Sequence, residues 1–455
     1  MEPRPRDTHS DVLSPVGSGT GRVIVIGPYQ RASARTRDRH KRPPAARLDE
    51  AVGLARAIDL TVVEFGIAPL TDIRPATYIG KGKVDEIAGL VKSLDVGLVV
   101  MDCALSPVQQ RNLEKTWSAK VLDRTGLILE IFGRRARTRE GALQVEHAHL
   151  TYQKSRLVRS WTHLERQRGG FGFLGGPGET QLEADRRMIE ERIARIEAEL
   201  DKVKRRRKLH RDSRARVPYP IAALVGYTNA GKSTLFNRMT RASVLEADMP
   251  FATLDPTLRA VALPNGLKII LSDTVGFISD LPTMLVAAFR ATLEEVIEAD
   301  VILHVRDISH EDTEAQSGDV ADVLRELGIA PEDSRLIEVW NKIDRLGVDD
   351  RMRLANAVAR EPTDRRPVLL SALTAEGLDQ LATAIETRLS LRRVVLDLAL
   401  DPADGAGVSW LHRHTEVMAK SMRDDGLLAV TVRVAPAKTA MVQAKFGGLA
   451  KTSLS

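Results

Sequence analysis

Apolar residues along this chain recur in two rhythms, and the changes of rhythm divide it. Short apolar runs at 23–26, 60–65, 96–101 and 119–122 suit strands, and helix-length amphipathic stretches lie between them at 47–57, 84–94 and 108–117. That alternation predicts a small α/β domain over residues 22–125. From 126 to 216 the rhythm is helical only. Leu182, Ile189, Ile193, Ile196, Leu200 and Val203 fall at intervals of seven, four, three, four and three, on one apolar stripe. With a first helix from about Gly141 to Gln167, this predicts an antiparallel helical hairpin. Its tip is the glycine-rich stretch 169–179 (GGFGFLGGPGE), where Phe171, Phe173 and Leu174 mark a projecting contact loop. Strand-like runs return at 221–225, 267–272, 301–305, 335–340 and 368–370, which predicts a second α/β domain over 218–390. The rest, 391–455, reads as strand 394–400, helix 408–422, strand 427–434 and helix 437–446, a small α/β carboxyl-terminal domain whose His412 and His414 lie on a helix surface. Residues 1–21, rich in Pro, Ser, Gly and Asp, predict a disordered tail.

Composition narrows the class. With 455 residues, 28% charged and 43% hydrophobic, the chain suits a soluble protein of several domains, and no apolar run of about 18 residues suggests a membrane span. The amino terminus lacks the apolar core of a secretory signal, and its acidic residues disfavour a transit peptide. Cys103 is the only cysteine, which excludes an internal disulfide and a cysteine zinc cluster and fits a reducing compartment. The net charge of +6 is concentrated at 31–42 (RASARTRDRHKR), 134–139 (RRARTR) and 202–216 (KVKRRRKLHRDSRAR). Such clusters point to a polyanionic partner, RNA or DNA, while an aromatic fraction of 4% argues against extended base stacking.

The chemistry is concentrated between 221 and 373. A buried-strand run ends in Gly226-Tyr227-Thr228-Asn229-Ala230-Gly231-Lys232-Ser233 and then a helix-forming segment. Small residues let backbone N–H groups turn inward around phosphate oxygens, and the helix start adds its positive end. Lys232 supplies a point charge for the β and γ phosphates, and the Ser233 hydroxyl can ligate Mg²⁺. Asn265-Gly266 signals a hairpin turn between two strands, the second ending in Asp273-Thr274-Val275-Gly276. There Asp273 can hold the Mg²⁺ shell and the Gly276 N–H can sense a γ-phosphate. Asn341-Lys342-Ile343-Asp344 decides the base. An ionised Asp344 accepts from the ring N–H and amine of guanine and repels the bare ring nitrogen of adenine. Asn341 braces the loops, Lys342 covers the base face, and the backbone of Ser371-Ala372-Leu373 closes over the guanine oxygen. The Gly80-Lys81-Gly82-Lys83 stretch has only part of a phosphate-loop spacing and reads as a helix entry.

Beyond this GTPase set stand Phe251-Ala252-Thr253-Leu254-Asp255-Pro256-Thr257, Asp273-Thr274-Val275-Gly276-Phe277 and RGGFGFLGGPGETQLEADRR. With these the chain resembles the HflX-type GTPases, bacterial-type ribosome-associated proteins, over about residues 22–455. The resemblance implies that 251–255 is a nucleotide-sensing switch loop and that Thr253 joins Ser233 on Mg²⁺, with Thr257 a second candidate. Lys232, Thr253 and Gly276 would then serve hydrolysis. It also implies that the amino-terminal domain and hairpin bind the large ribosomal subunit in splitting or rescue. We expect a cytoplasmic monomer, in part membrane-peripheral. Phe277 stands where Ras-like enzymes carry a water-orienting glutamine, so hydrolysis in isolation should be slow. A GTPase of ribosome assembly or another RNA, and a binding module with GTP as structural ligand, are the alternatives.

Overall fold

The computed structural model describes residues 21–30, 42–136, 138–167, 177–214, 219–240, 257–279, 293–363, 365–391, 394–423, 425–434, 436–446 and 450–453. Side chains are described for these except 158–167, 177–182, 204, 206–214, 436–438, 440 and 450–453. The amino-terminal tail, nearly all of the 31–42 basic run, the glycine-rich tip and the 251–255 switch loop therefore lie outside the described residues.

Strands β1 (Arg22–Gln30), β2 (Thr61–Leu70), β3 (Leu98–Met101) and β4 (Lys120–Asp123) form a parallel sheet in the order β2-β1-β3-β4. Its central strands bury both faces. Val23 and Val25 of β1 pack with α1 (Pro44–Arg56) and α4 (Arg124–Arg135), while Ile24 and Ile26 pack with α2 (Lys81–Ser93) and α3 (Pro107–Trp117). Continuous apolar runs are the signature of strands covered on both sides. The helix entry at Gly80 is observed, with Gly80 as the N-cap residue of α2. Helix α4 belongs to the first domain rather than to the hairpin, so that domain extends past the expected limit at 125. Asp123 caps it, accepting the Gly126 N–H at 2.8 Å, and Leu127, Ile128, Ile131 and Phe132 bury its apolar side in the first domain's core.

The hairpin is made by α5 (Arg139–Gln167) and α6 (Pro177–Arg214). Ion pairs such as Arg192–Glu146 at 2.6 Å and Lys154–Glu190 at 3.1 Å cross between them. Its base is tied to the first sheet by Asp123, which accepts from the Tyr152 hydroxyl at 2.6 Å and from Arg156 at 2.5 Å.

A third layered unit holds β5 (Ile221–Val225), β6 (Thr257–Ala262), β7 (Lys268–Asp273), β8 (Val301–Asp307), β9 (Leu336–Asn341) and β10 (Val368–Leu369) in the order β10-β9-β8-β5-β7-β6. Only β6 runs antiparallel, against β7. Helices α7 (Lys232–Thr240), α8 (Thr313–Glu326), α9 (Val348–Arg360) and α10 (Leu378–Leu391) follow the strands. In such open sheets, ligands bind outside the carboxyl ends of the strands, here the ends of β5, β7, β8 and β9.

The carboxyl-terminal sheet, β12-β13-β11-β14, is antiparallel: β11 (Val394–Leu400), β12 (Glu416–Met422), β13 (Leu428–Val434) and β14 (Ala450–Ser453). Helices α11 (Gly405–His414) and α12 (Pro436–Phe446) accompany it. This corrects the helix expected over 408–422. The helix stops at His414, Thr415 turns extended at φ −136°, and 416–422 becomes an edge strand paired antiparallel with β13. An adjacent strand, β13, offered an antiparallel partner and overrode a pattern with no decisive period. His412 and His414 both lie in the last turn of α11. The His414 ring stacks on Trp410 at 4.2 Å, and His412 accepts a hydrogen bond from Lys420 at 2.6 Å.

Candidate guanine nucleotide site

The loop after β5 turns where two glycines are required by geometry. A side chain at Gly226 would meet the Val305 carbonyl oxygen at 2.2 Å, and one at Gly231 would meet the Asn341 amide nitrogen at 2.4 Å; both glycines have positive φ. Asn341, buried at the end of β9, donates to the Ala230 carbonyl at 2.8 Å and accepts the Ala372 N–H at 2.9 Å. One side chain thus ties the phosphate loop to the 371–373 loop. Arg238 of α7 adds a second tie, donating to the carbonyls of Ala372 and Leu373. Lys342 follows with φ +66°, and the short helical turn Ile343–Arg345 presents Asp344 exposed at the rim.

Lys232 is buried with its amine donating to the carbonyls of Gly226 at 3.1 Å and Tyr227 at 2.7 Å. Burial lowers its pKa to about 8, Asp273 works against that shift, and Lys342 adds to it. A polyanion in the loop would add to the counter-charge that Asp273 supplies. Ser233 Oγ donates to Asp273 Oδ2 at 2.8 Å. A hydroxyl and a carboxylate side by side at the start of the helix are hard oxygen donors of the kind Mg²⁺ takes, so these two residues fit the ion. Thr253 lies outside the described residues, and among those described no cluster of three or more His, Cys, Asp or Glu forms a metal site of its own. Thr274 donates to the Leu224 carbonyl at 2.5 Å, and Val275 is buried, so the segment hugs β5. Gly276 reaches the loop: a Cβ there would lie 2.9 Å from Thr228 and 3.1 Å from the Lys232 amine.

Phe277 does not line the cleft. Its ring is 2% exposed, in a hydrophobic cluster shared with α1 and α4 of the first domain. Its N–H donates to the Gly226 carbonyl at 3.1 Å, and its carbonyl accepts the Thr228 N–H at 2.7 Å.

Sequence reasoning missed what lies next to it. Glu50 of α1 binds Arg124 and the Ser279 hydroxyl through Oε1, at 2.5 Å and 2.9 Å, and Arg42 and the Tyr227 hydroxyl through Oε2. Arg124 also donates to the Ser279 carbonyl at 2.8 Å and to Asp102 at 2.5 Å, and Tyr29 donates to Asp102 at 2.5 Å. The Ser279 N–H donates to the Tyr227 hydroxyl at 2.8 Å. Burial works to raise the Glu50 carboxyl, but Arg124 and Arg42 outweigh it and hold its pKa at about 2. Burial and Glu50 together push the Tyr227 hydroxyl upward. The available signal was Tyr227 itself, a large side chain within a loop of small residues.

A parallel sheet with one antiparallel edge, a glycine loop running into a helix and an Asn-Lys-Ile-Asp turn at the end of β9 define a P-loop GTPase. Family models agree along the chain: GTP-binding GTPase N-terminal over residues 45–133, GTP-binding GTPase Middle Region over 135–214, 50S ribosome-binding GTPase over 221–342 and HflX C-terminal domain over 357–454. The chain is 49% identical over 396 residues to GTPase HflX of Magnetococcus marinus, covering 87% of this chain and 90% of that protein. It is 47% identical over 360 residues to GTPase HflX of Escherichia coli, covering 79% and 83%. A GTP-binding protein from Sulfolobus solfataricus, solved in complex with GDP, matches 81% of this chain and 98% of its own at 22% identity, with a TM-score of 0.42. This chain belongs to the HflX family of GTPases.

Proposed function

We propose that this GTPase is Mg²⁺-dependent, binds the large ribosomal subunit, and couples GTP binding and hydrolysis to ribosome splitting or rescue. The observation that supports the reading is that adjacent residues at the start of α4 face both ways: Arg124 holds the segment after Gly276, and Asp123 holds the hairpin helix α5. Gly276 lies against Lys232, and Ser279 is held by Glu50 and Arg124. Arg124 is the neighbour of Asp123, which holds Tyr152 and Arg156 of α5. A hairpin built only as a linker would not need a buried carboxylate, Asp123, fixing its first helix beside Arg124. The match of 221–342 to a 50S ribosome-binding GTPase model and the basic run at 202–216 support a ribosomal partner.

In the reaction, Lys232 would neutralise charge on the β and γ phosphates, and the loop N–H groups would line the same oxygens. The Gly276 N–H would meet the γ-phosphate. Ser233 and Asp273 would hold Mg²⁺, with Thr253 of the switch loop joining Ser233; the ion, when bound, supplies positive charge to the phosphate oxygens. Asp344 would select guanine, with Ile343, Ser371 and Leu373 shaping the loops around it and Asn229, Ala230 and Gly231 the phosphate cradle. With Phe277 withdrawn into the inter-domain core, no side chain at that position orients water, so isolated turnover is slow and a bound subunit supplies the order. The 251–255 loop and the 273–276 segment respond to the γ-phosphate. Among the described residues no helix is long and apolar enough to cross a membrane; the proposed ribosomal partner puts the site of action in the cytoplasm.

The test is steady-state GTP hydrolysis against large-subunit concentration, for the intact protein and for one with the 169–179 tip shortened. Stimulation of the intact protein that is lost in the shortened one, with GTP affinity of the free protein kept, supports the reading. Identical curves would break the link between hairpin and site, and no stimulation at all would favour GTP as a structural ligand. A subunit-splitting assay then separates splitting from assembly.

A further inference from the structure

We infer that Asp307 is a positioning residue for the guanine base: it anchors the Lys342 amine so that the lysine stem is already laid out as a wall of the base pocket before nucleotide arrives. Asp307 ends β8 directly opposite Asn341, the first residue of the base-reading turn. It is buried, and its two oxygens have separate duties. Oδ2 pairs with the Lys342 amine at 2.7 Å, while Oδ1 accepts the Ser309 N–H at 3.0 Å and the Ser309 hydroxyl at 2.6 Å. The carboxylate is therefore fixed by its own loop before it holds the lysine.

Lys342 is constrained at both ends. Its backbone takes the left-handed conformation at φ +66°, which a lysine adopts only when its surroundings impose it. Its far end is pinned by Asp307, and its ε-carbon passes 3.9 Å from the Cβ position of Gly231, along the phosphate loop. A free lysine stem would lose rotamer freedom each time a base packed against it, whereas an anchored one has lost it already. The ion pair also answers a crowding of charge, because Lys342 and Lys232 share the cleft. Each has a carboxylate neighbour of its own, Asp307 and Asp273.

This inference rests on the reading of 341–344 as the base pocket, and the experiment separates the two. Asp307→Asn keeps an oxygen for Ser309 and places an amide donor against the Lys342 amine. Dissociation of fluorescent GDP and of a fluorescent GTP analogue should speed up by the same factor, roughly five- to tenfold, the scale of losing one pre-ordered side chain. In steady state the change should fall on KM rather than kcat. Lys342→Met should produce a similar acceleration, and adding Asp307→Asn to it should change the rate less than about twofold, since residues acting through one contact are not additive. If Asp307→Asn does not fold, Lys342→Met alone must still accelerate release. Independent, multiplying effects would overturn the inference. So would tighter binding that grows from GDP to GTP, which would make Asp307 a charge acting on phosphate. Asp344→Asn is the control. It should weaken GTP and favour xanthosine triphosphate, whose base presents an acceptor where guanine has its amine. Failure of that exchange rejects the base pocket itself, whereas a successful exchange with an unresponsive Asp307 rejects only the anchor.

Discussion

Tyr227 belongs to two assemblies of charge that differ in what completes them. On one side its backbone carbonyl accepts from Lys232, in a cleft where a buried amine is held by two neutral carbonyls. On the other its hydroxyl binds Glu50, in a cluster where Arg42, Arg124, Asp102, Asp312 and Ser279 are joined by ion pairs and hydrogen bonds. In the cleft, burial outweighs Asp273 and depresses the Lys232 pKa to about 8, whereas in the cluster Arg124 and Arg42 outweigh burial and hold the Glu50 pKa at about 2. Buried charge arranged in the first way is kept for a ligand, and in the second way it fixes a geometry, here that of the first domain against the switch segment.

The comparison breaks most readily at Glu50. Glu50→Ala leaves two buried guanidinium groups without their shared partner and should cost about 3–5 kcal/mol in denaturant unfolding, the scale of a broken buried ion pair. A loss below about 1 kcal/mol would show that the cluster is solvated rather than closed. The same carboxyl sets an acid limit. Its folded pKa is depressed from 4.5 to about 2, so its stabilisation is present above pH 4.5 and is lost as pH falls from there through 2. Glu50→Gln should flatten that part of the stability profile.

The cleft should respond in the opposite currency. Lys232→Ala should lower GTP hydrolysis by about 10²–10³-fold, as removal of one preorganised charge does at such sites. The unfolding midpoint should hardly move, because in the free protein this amine stays charged against the cost of burial. Full turnover in that variant would remove Lys232 from the reaction. A destabilisation as large as that of Glu50→Ala would erase the distinction between the two assemblies.

A smaller effect sharpens the difference without mutation. The Lys232 pKa of about 8 implies that the free protein releases this proton above pH 8, whereas phosphate holds it. Nucleotide affinity should therefore fall by up to about tenfold per pH unit above 8, with proton uptake on binding in calorimetry. Affinity flat from pH 7 to 10 would contradict it.

The nucleotide motifs were legible because their chemistry is local. Gly226, Gly231, Lys232 and Ser233 lie within eight consecutive residues, and strand, loop and helix follow one another in the chain. The same is true of the turn at 341–344. The alternating strands and helices of the first sheet were legible from their period, and the 408–422 helix failed because its second half found a strand partner. Asp307, Arg238 and Ser279 were not legible as site residues, since each acts through a group far away in sequence.

What the chain by itself determined is the class of protein, a P-loop GTPase: a glycine loop running into a helix, the turn at 341–344 and a sheet to carry them, each encoded in neighbouring residues whose conformations depend on local sterics and hydrogen bonding. What only the tertiary structure decided is where burial outweighs a charge's partners and where the partners outweigh burial. Glu50 is 177 residues from Tyr227 and 229 from Ser279, and no spacing rule reaches that far. Phe277 shows both sides. Its identity, readable in the sequence, denies the site a water-orienting side chain, and its burial between two domains, decided by packing, turns that missing hydrogen bond into a contact that joins them.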